Sequence, residues 1–416
     1  MVFRLRKVPL RGFGKLPAAL RRLPGKAAQC PRRVFWKSFF AALRSTVIAV
    51  NKQLGRKEMA TGHKHKIAVI MGDGIGKEVV PEGMRVLDVA GERFGFKLEW
   101  TPFPWSCEYY SSTGEMMPKN GLDILKEYEA IFLGAVGYPG VPDHVSLWGL
   151  LIPIRRGFQQ YVNFRPVRNM RGITSPLRDI EAGKIDFCVV RENNEGEYSN
   201  IGGMMYEGTD QEFVVQETVF TRKGVERIMR FAFDLARKRE KKKVTSVTKS
   251  NGIVFTMPYW DEIFKGIAKA YPDVKTDQYH VDALSALFVQ HPEQFDVVVG
   301  SNLFGDILSD LGAAVAGSLG IAPSGSLNPE RKFPSMFEPV HGSAPDIAGK
   351  GIANPIGQIL SGALMVHHLG YPEAARAIEK AVEVAVADRK IKTRDLGGEA
   401  STQQMGKAIA ELVAKV

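Results

Sequence analysis

From Lys66 onward, short apolar runs alternate with amphipathic stretches of helical period, and that alternation restricts the fold to the α/β class. The apolar runs cover residues 67–71, 130–136, 187–191, 244–248 and 296–300, each bounded by glycine, proline or polar residues. Helical spacing covers 76–94, 224–239 and 257–271 between them. Strands separated by helices must cross over to pair, so the pattern predicts parallel strands. The last third is helical at 355–369, 372–388 and 401–416, with no internal repeat and no long linker.

Composition narrows the function classes. With 44% hydrophobic and 24% charged residues, the 416-residue chain is neither disordered nor membrane-embedded in character. No apolar run approaches the roughly 18 residues of a spanning helix, so no membrane partner is expected. Three well-separated cysteines without a CxxC pair argue against a disulfide framework or a thiolate zinc site and fit a reducing compartment.

The net charge of +11 invites a nucleic-acid reading, but its distribution removes it. Residues 1–57 hold 15 of the 56 basic residues and no acidic one; the body keeps 41 against 45 acidic residues, a net of −4. No nucleic-acid partner is expected. The leader, 1–58, has the composition of a mitochondrial transit peptide, or of an interfacial anchor with Phe35, Trp36, Phe39 and Phe40 among its cations. The plain alternative is that translation starts at Met59, leaving 1–58 untranslated or disordered. We adopt that reading, and with it a cytoplasmic location; a real transit peptide would make it mitochondrial.

Six segments carry groups suited to chemistry. Gly72-Asp73-Gly74-Ile75-Gly76 follows the first strand but lacks dinucleotide-fingerprint spacing, and reads better as a glycine turn opening a helix. Arg155, Arg156, Arg165 and Arg168, with Arg191 ending the run 187–191, are either solvated charge or a guanidinium cluster for a dicarboxylate. Arg191 stands at a strand end, the edge where open α/β sheets take ligands. In the polar turn after it, Tyr198 suits a proton donor or an aromatic lid. Lys249, again past a strand, suits a base of lowered pKa or a loop cation.

Asp306 and Asp310, four apart in a helical stretch, share one face, where two carboxylates repel unless a hard cation such as Mg²⁺ or Mn²⁺ lies between them. Helix-dipole placement explains Asp306 alone. Asp282 offers a third carboxylate. Finally, residues 341–355 form a long stretch of small residues, either a surface loop or one that lets backbone approach a ligand, with Asp346 suited to ribose hydroxyls.

Together these segments resemble the β-decarboxylating dehydrogenase family, which includes the isopropylmalate and isocitrate dehydrogenases. The stretches SNLFGDILSD (301–310) and EPVHGSAPDIAGKGIANP (338–355) carry the resemblance most specifically, and it runs in the family's order from Lys66 onward. It implies a two-domain fold that is not a Rossmann fold: a large domain of 60–160 plus 317–416 with the dinucleotide loop, and a small domain of 161–316 with dimer and metal-site residues. It implies a homodimer with shared active sites. By resemblance, Arg155, Arg165 and Arg191 bind substrate carboxylates, and Tyr198 and Lys249 form the catalytic pair. Asp282, Asp306 and Asp310 hold Mn²⁺ or Mg²⁺, with Asp282 and Lys249 arriving from the partner subunit. His341, Gly342, Ser343, Ala344, Asp346, Ile347 and Asn354 hold the dinucleotide, and Asp346 implies NAD rather than NADP. A monovalent cation such as K⁺ is a further cofactor the resemblance suggests.

Within the family, Pro139–Trp148 resembles the branch acting on tartrate and D-malate. The segment before Arg155 carries one added residue and Trp148, and lacks the acidic residue usual in isopropylmalate dehydrogenases. A small 2-hydroxy diacid is therefore the expected substrate, with Trp148 narrowing the room for an isopropyl group. The competing reading is 3-isopropylmalate, favoured by Leu150 and Leu151.

Overall fold

The computed structural model describes residues 63–416. The basic leader and every reading of it lie outside the described residues. Ten strands form one sheet in the order β2-β1-β3-β12-β11-β4-β5-β10-β8-β9. They are β1 (His63–Gly72), β2 (Phe96–Phe103), β3 (Ala130–Ala135), β4 (Val162–Arg168), β5 (Asp186–Glu192), β8 (Lys243–Thr248), β9 (Lys275–His280), β10 (Val297–Gly300), β11 (Pro323–Leu327) and β12 (Ser335–Pro339). A separate hairpin joins β6 (Gly202–Met205) to β7 (Phe213–Gln216). The principal helices are α1 (Gly76–Phe94), α2 (Ile152–Gly157), α3 (Arg222–Ala236), α4 (Thr256–Ala268), α5 (Val281–Gln290), α6 (Asn302–Ala316), α7 (Ile356–His368), α8 (Pro372–Ala387) and α9 (Thr402–Lys415).

The α/β expectation holds, but the sheet is mixed. Parallel pairing runs through β2-β1-β3-β12 and through β5-β10-β8-β9. Between these blocks, β12-β11, β11-β4 and β4-β5 pair antiparallel. The strands anticipated from sequence belong to the parallel blocks, where burial on both faces produces uninterrupted apolar runs. β4 (VNFRPVR) and β9 (KTDQYH) have no such run, because polar side chains alternate along them.

Each block has its own cores. On one, α1, α7, α8 and α9 cover Ile67, Phe132 and Phe337, with Trp105, Leu150 and Met336 packed on the opposite face. On the other, Trp260 and Phe233 of α4 and α3 cover one face of β5 and β10, and Phe288 of α5 and Leu308 of α6 cover the other. The C-terminal ends of β5 and β10 lie side by side, with Gly300 paired to Arg191. This junction carries the site.

Candidate active site

The strand end delivers Arg191, and α6 receives it. Helix α6 begins where Ser301 Oγ accepts from Phe304 N, while Glu197 accepts from Ser301 Oγ at 2.7 Å and Leu303 N at 3.0 Å. That double cap ties the turn after β5 to the start of α6. Gly305 has no side chain to block the approach: a Cβ there would lie 2.7 Å from Arg191 Cβ. The Arg191 stem therefore rests on the helix, only 2% exposed. Its Nε and Nη2 donate to Asn302 Oδ1 at 3.1 and 2.6 Å, and its Nη1 to Asp306.

Arg165 approaches from β4. Its Nη2 lies 3.1 Å from Asp306, its Nη1 3.2 Å from Asp310, and it donates to Asn163 and to Ser309 Oγ, each at 2.7 Å. The Tyr198 hydroxyl donates to Asp306 Oδ2 at 3.0 Å, with its ring under the Arg191 guanidinium at 5.5 Å. Arg155, on α2, is tied instead to Glu338 of β12 at 2.8 Å, and its buried Nε has no partner among the described residues. Five of the anticipated residues thus converge directly, and Arg155 stands at their edge.

The electrostatics follow from this crowding. Burial raises the Asp306 carboxyl, but Arg191, Arg165 and the Tyr198 hydrogen bond outweigh it and hold the group below its ordinary range. Asp310 is pushed up, by burial and by the neighbouring Asp306 charge against the pull of Arg165. Burial also lowers Arg191 to about 10, against Asp306 and with help from Arg165 and Arg155. The Tyr198 hydroxyl is raised by burial and by Asp306 and so stays protonated at neutral pH. Asp306 and Asp310 offer hard oxygen donors one turn apart, a donor set that fits a divalent cation.

Lys249 and Asp282 do not join this group within the chain. They form their own ion pair at 2.9 Å, beyond the end of β8 and in the first turn of α5. The hydrogen bond from Lys249 lowers the Asp282 carboxyl. Beside them, Val254 and Phe255 are exposed, Phe255 by 87%.

The loop 341–355 contains neither strand nor helix. It leans on the glycine turn: Ser343 O accepts from Ile75 N at 2.9 Å, and a Cβ on Gly74 would fall 2.1 Å from that oxygen. Gly72-Gly76 is therefore a supporting turn, as anticipated, and its Asp73, 1% exposed, accepts from Cys107 N and Gly137 N. Ala344 and Ile347 pack on Ile75 and Val79. Asn354 is spent on Asp395 and on Ile356 N. Asp346 is exposed and unpartnered among the described residues, and Gly342 borders open space, where a Cβ would meet nothing within 4 Å. His341 Nε2 is buried with no partner among the described residues, an orphaned polar atom that a bound ligand would satisfy.

Sequence reading missed the residues that aim the cluster: Asn163, Asn302, Ser309, Glu197 and Glu338. The signal for Asn302 and Ser309 was present, since both lie in the stretch that singled out Asp306. Trp148 was anticipated as a pocket wall; its ring lies 5.0 Å from the Arg156 guanidinium, which in turn donates to the Tyr198 carbonyl. It occupies a single π-helical turn, Leu147–Leu151, a feature that often marks functional segments.

Sheet and site define an α/β enzyme with a guanidinium- and carboxylate-lined centre. More particularly, the chain belongs to the isocitrate/isopropylmalate dehydrogenase family, whose model matches residues 66–409. It is 56% identical to a tartrate dehydrogenase/decarboxylase of Pseudomonas putida, over 85% of this chain and 99% of that one. It is likewise 56% identical to a D-malate dehydrogenase (decarboxylating) of Escherichia coli K12, over 84% and 98%. Among solved structures it resembles an isocitrate dehydrogenase from Methylococcus capsulatus, with a TM-score of 0.76 and 38% identity over 84% of this chain and 99% of that one. The expected family and fold class are those found. No helix among the described residues is long and apolar enough to cross a membrane.

Proposed function

We propose that the protein oxidises a small 2-hydroxy diacid, tartrate or D-malate, with NAD, and decarboxylates the keto acid formed at the β position. The observation that carries this reading is the convergence of Arg165, Arg191 and Tyr198 on Asp306, with Asp310 one turn away. Guanidinium groups fixed at a strand end suit two carboxylates on a short skeleton. Two relatives named for tartrate and D-malate, at 56% identity, favour these substrates over 3-isopropylmalate.

In this reading Arg155, Arg165 and Arg191 hold the substrate carboxylates. Asp306 and Asp310, with Asp282 of a second copy, would hold Mn²⁺ or Mg²⁺, which supplies Lewis acidity to the 2-hydroxyl and to enolate charge. Lys249 of that second copy accepts the hydroxyl proton as C2 is oxidised. The 341–354 loop would hold the dinucleotide, the hydride acceptor, with Asp346 facing ribose hydroxyls and repelling a 2′-phosphate. After CO₂ leaves, the Tyr198 hydroxyl delivers a proton to C3.

A homodimer with shared sites is supported by apolar surface. The β6–β7 hairpin exposes Met204, Met205, Phe213, Val214 and Val215, and Phe255 projects beside Lys249. The division into 60–160 plus 317–416 and 161–316 is supported by the separate cores of the two parallel blocks.

The test is NADH formation with Mn²⁺ and K⁺, comparing D-malate, L-tartrate, meso-tartrate and 3-isopropylmalate. Turnover of the small diacids, lost with a chelator, is expected. Preference for 3-isopropylmalate would overturn the substrate class and leave the family intact.

A further inference from the structure

Away from the site just described, the first strand opens with two histidines on one face. His63 and His65 are two residues apart on β1, so their side chains project to the same side of the sheet. Their rings lie 4.6 Å apart, centroid to centroid. Glu129, whose backbone N–H donates to Lys66 O, brings its carboxylate to the same spot. Among the described residues, these three form the one group of His, Cys, Asp or Glu whose donor atoms all fall within 4.8 Å of one another.

The partners around His65 are arranged as for a ligating imidazole. It is 4% exposed, with Nδ1 2.8 Å from Glu129 Oε2 and Nε2 2.9 Å from the Tyr371 hydroxyl. A ligating histidine commonly gives its other ring N–H to an oxygen acceptor, which fixes tautomer and ring orientation; Tyr371 offers that acceptor and is itself packed on Phe96 at 4.3 Å. A metal at about 2.0–2.2 Å from nitrogen and oxygen needs the His65–Glu129 pair to open by only about 0.5 Å. Glu129 is 44% exposed and His63 is at the surface, so an ion has an entry path and the carboxylate has room to move.

We propose that His63, His65 and Glu129 form a second metal site, selective for a borderline divalent ion of the Zn²⁺ class, with Tyr371 orienting His65. Two imidazoles and one carboxylate suit Zn²⁺ rather than the hard Mg²⁺ or Mn²⁺ suited to the aspartate pair. The bound ion would take the place of the His65–Glu129 hydrogen bond, with the imidazole N–H on Nε2 facing the Tyr371 oxygen, and would leave a position open to water. It would also fasten β1 to the segment entering β3, since both are held by its ligands. The site lies apart from the arginine–aspartate cluster and shares no residue with it.

The test is equilibrium dialysis of the full chain against Zn²⁺ with Mg²⁺ in excess, counting bound zinc, together with the rise in Tm that Zn²⁺ produces. One zinc per chain is expected. His63→Ala and Glu129→Gln should each weaken it by about tenfold or more, Tyr371→Phe by less, and Asp306→Asn not at all. His63 and Glu129 are surface side chains, so both variants should fold, which their unchanged Tm without zinc would show. Absence of zinc binding would overturn the proposal. So would zinc that persists in His63→Ala and disappears in Asp306→Asn, since that ion would sit on the aspartate pair.

Discussion

The Tyr198 hydroxyl donates to Oδ2 of Asp306 at 3.0 Å, while the other oxygen of the same carboxylate is held by Arg191 and Arg165. One carboxylate therefore fixes a proton donor and two substrate-directed cations together. Its position on α6 is set by Gly305, which lets Arg191 lie against the helix, and by Glu197, which caps it.

Asp306→Asn keeps the volume and removes the charge. Turnover should fall by about two to three orders of magnitude, the usual scale for losing one charge-stabilising group. Excess Mn²⁺ should restore little of it. Arg191, 2% exposed, would keep Asn302 but lose its charged partner, so stability should also fall by about 1–3 kcal/mol. Kinetics across a Mn²⁺ titration and thermal unfolding without metal separate the two effects.

Tyr198→Phe should split the reaction. The hydroxyl is raised above its ordinary pKa by burial and by Asp306, so it stays a proton donor throughout the neutral range. Without it, hydride transfer from D-malate should continue while protonation after CO₂ loss slows by about 10²–10⁴-fold. Parallel assays of NADH and of pyruvate would read this directly, and equal losses in both would assign Tyr198 to binding.

Lys249 and Asp282 pair with each other and not with Asp306, which gives a sharp test of shared sites. Lys249→Ala and Asp306→Asn chains should each be nearly inactive. Co-refolded at equal amounts, half of the dimers would be mixed, and each would rebuild one intact site from two chains. About one quarter of wild-type activity should return. No recovery would mean that each chain uses its own Lys249.

Much of the site was legible because the residues that do chemistry break local patterns. Arg191 ends an apolar run, and Asp310 has no helix-dipole explanation. The residues that aim them left no such trace, since their partners are distant in sequence: Arg155 meets Glu338 across 183 positions, and Arg165 meets Ser309 across 144. β4 escaped notice for a related reason. It lies between antiparallel β11 and parallel-block β5, and its buried polar groups are satisfied by distant partners: Asn163 by Ser324 and Ser326 of β11, and Arg165 by Ser309, Asp306 and Asp310 of α6. An apolar-run criterion finds strands covered by side chains, and β4 is covered partly by hydrogen bonds.

Asp346 is exposed and unpartnered among the described residues, so replacing it should disturb the dinucleotide and little else. Asp346→Ser should raise the KM for NAD and improve the NADP/NAD ratio of kcat/KM by about tenfold or more, as repulsion of a 2′-phosphate is relieved. Tm should not change.

Glu192 follows Arg191 on β5 and is fully buried, with Arg227 3.4 Å away. Burial pushes its carboxyl up to about 8, against the pull of Arg227. The unfolded chain releases that proton near pH ~4.3, so between those two values the folded protein holds a proton that the unfolded chain has lost. Stability from this source is complete below the unfolded value and declines as pH rises toward about 8. Glu192→Gln keeps an acceptor for Asn194 N and cannot ionise. Across that window the variant should lose stability less steeply than the wild type, with a ceiling of about 5 kcal/mol set by the two pKa values. Thermal unfolding at a series of pH values measures the difference, and parallel slopes would show that Glu192 is ionised in the folded protein.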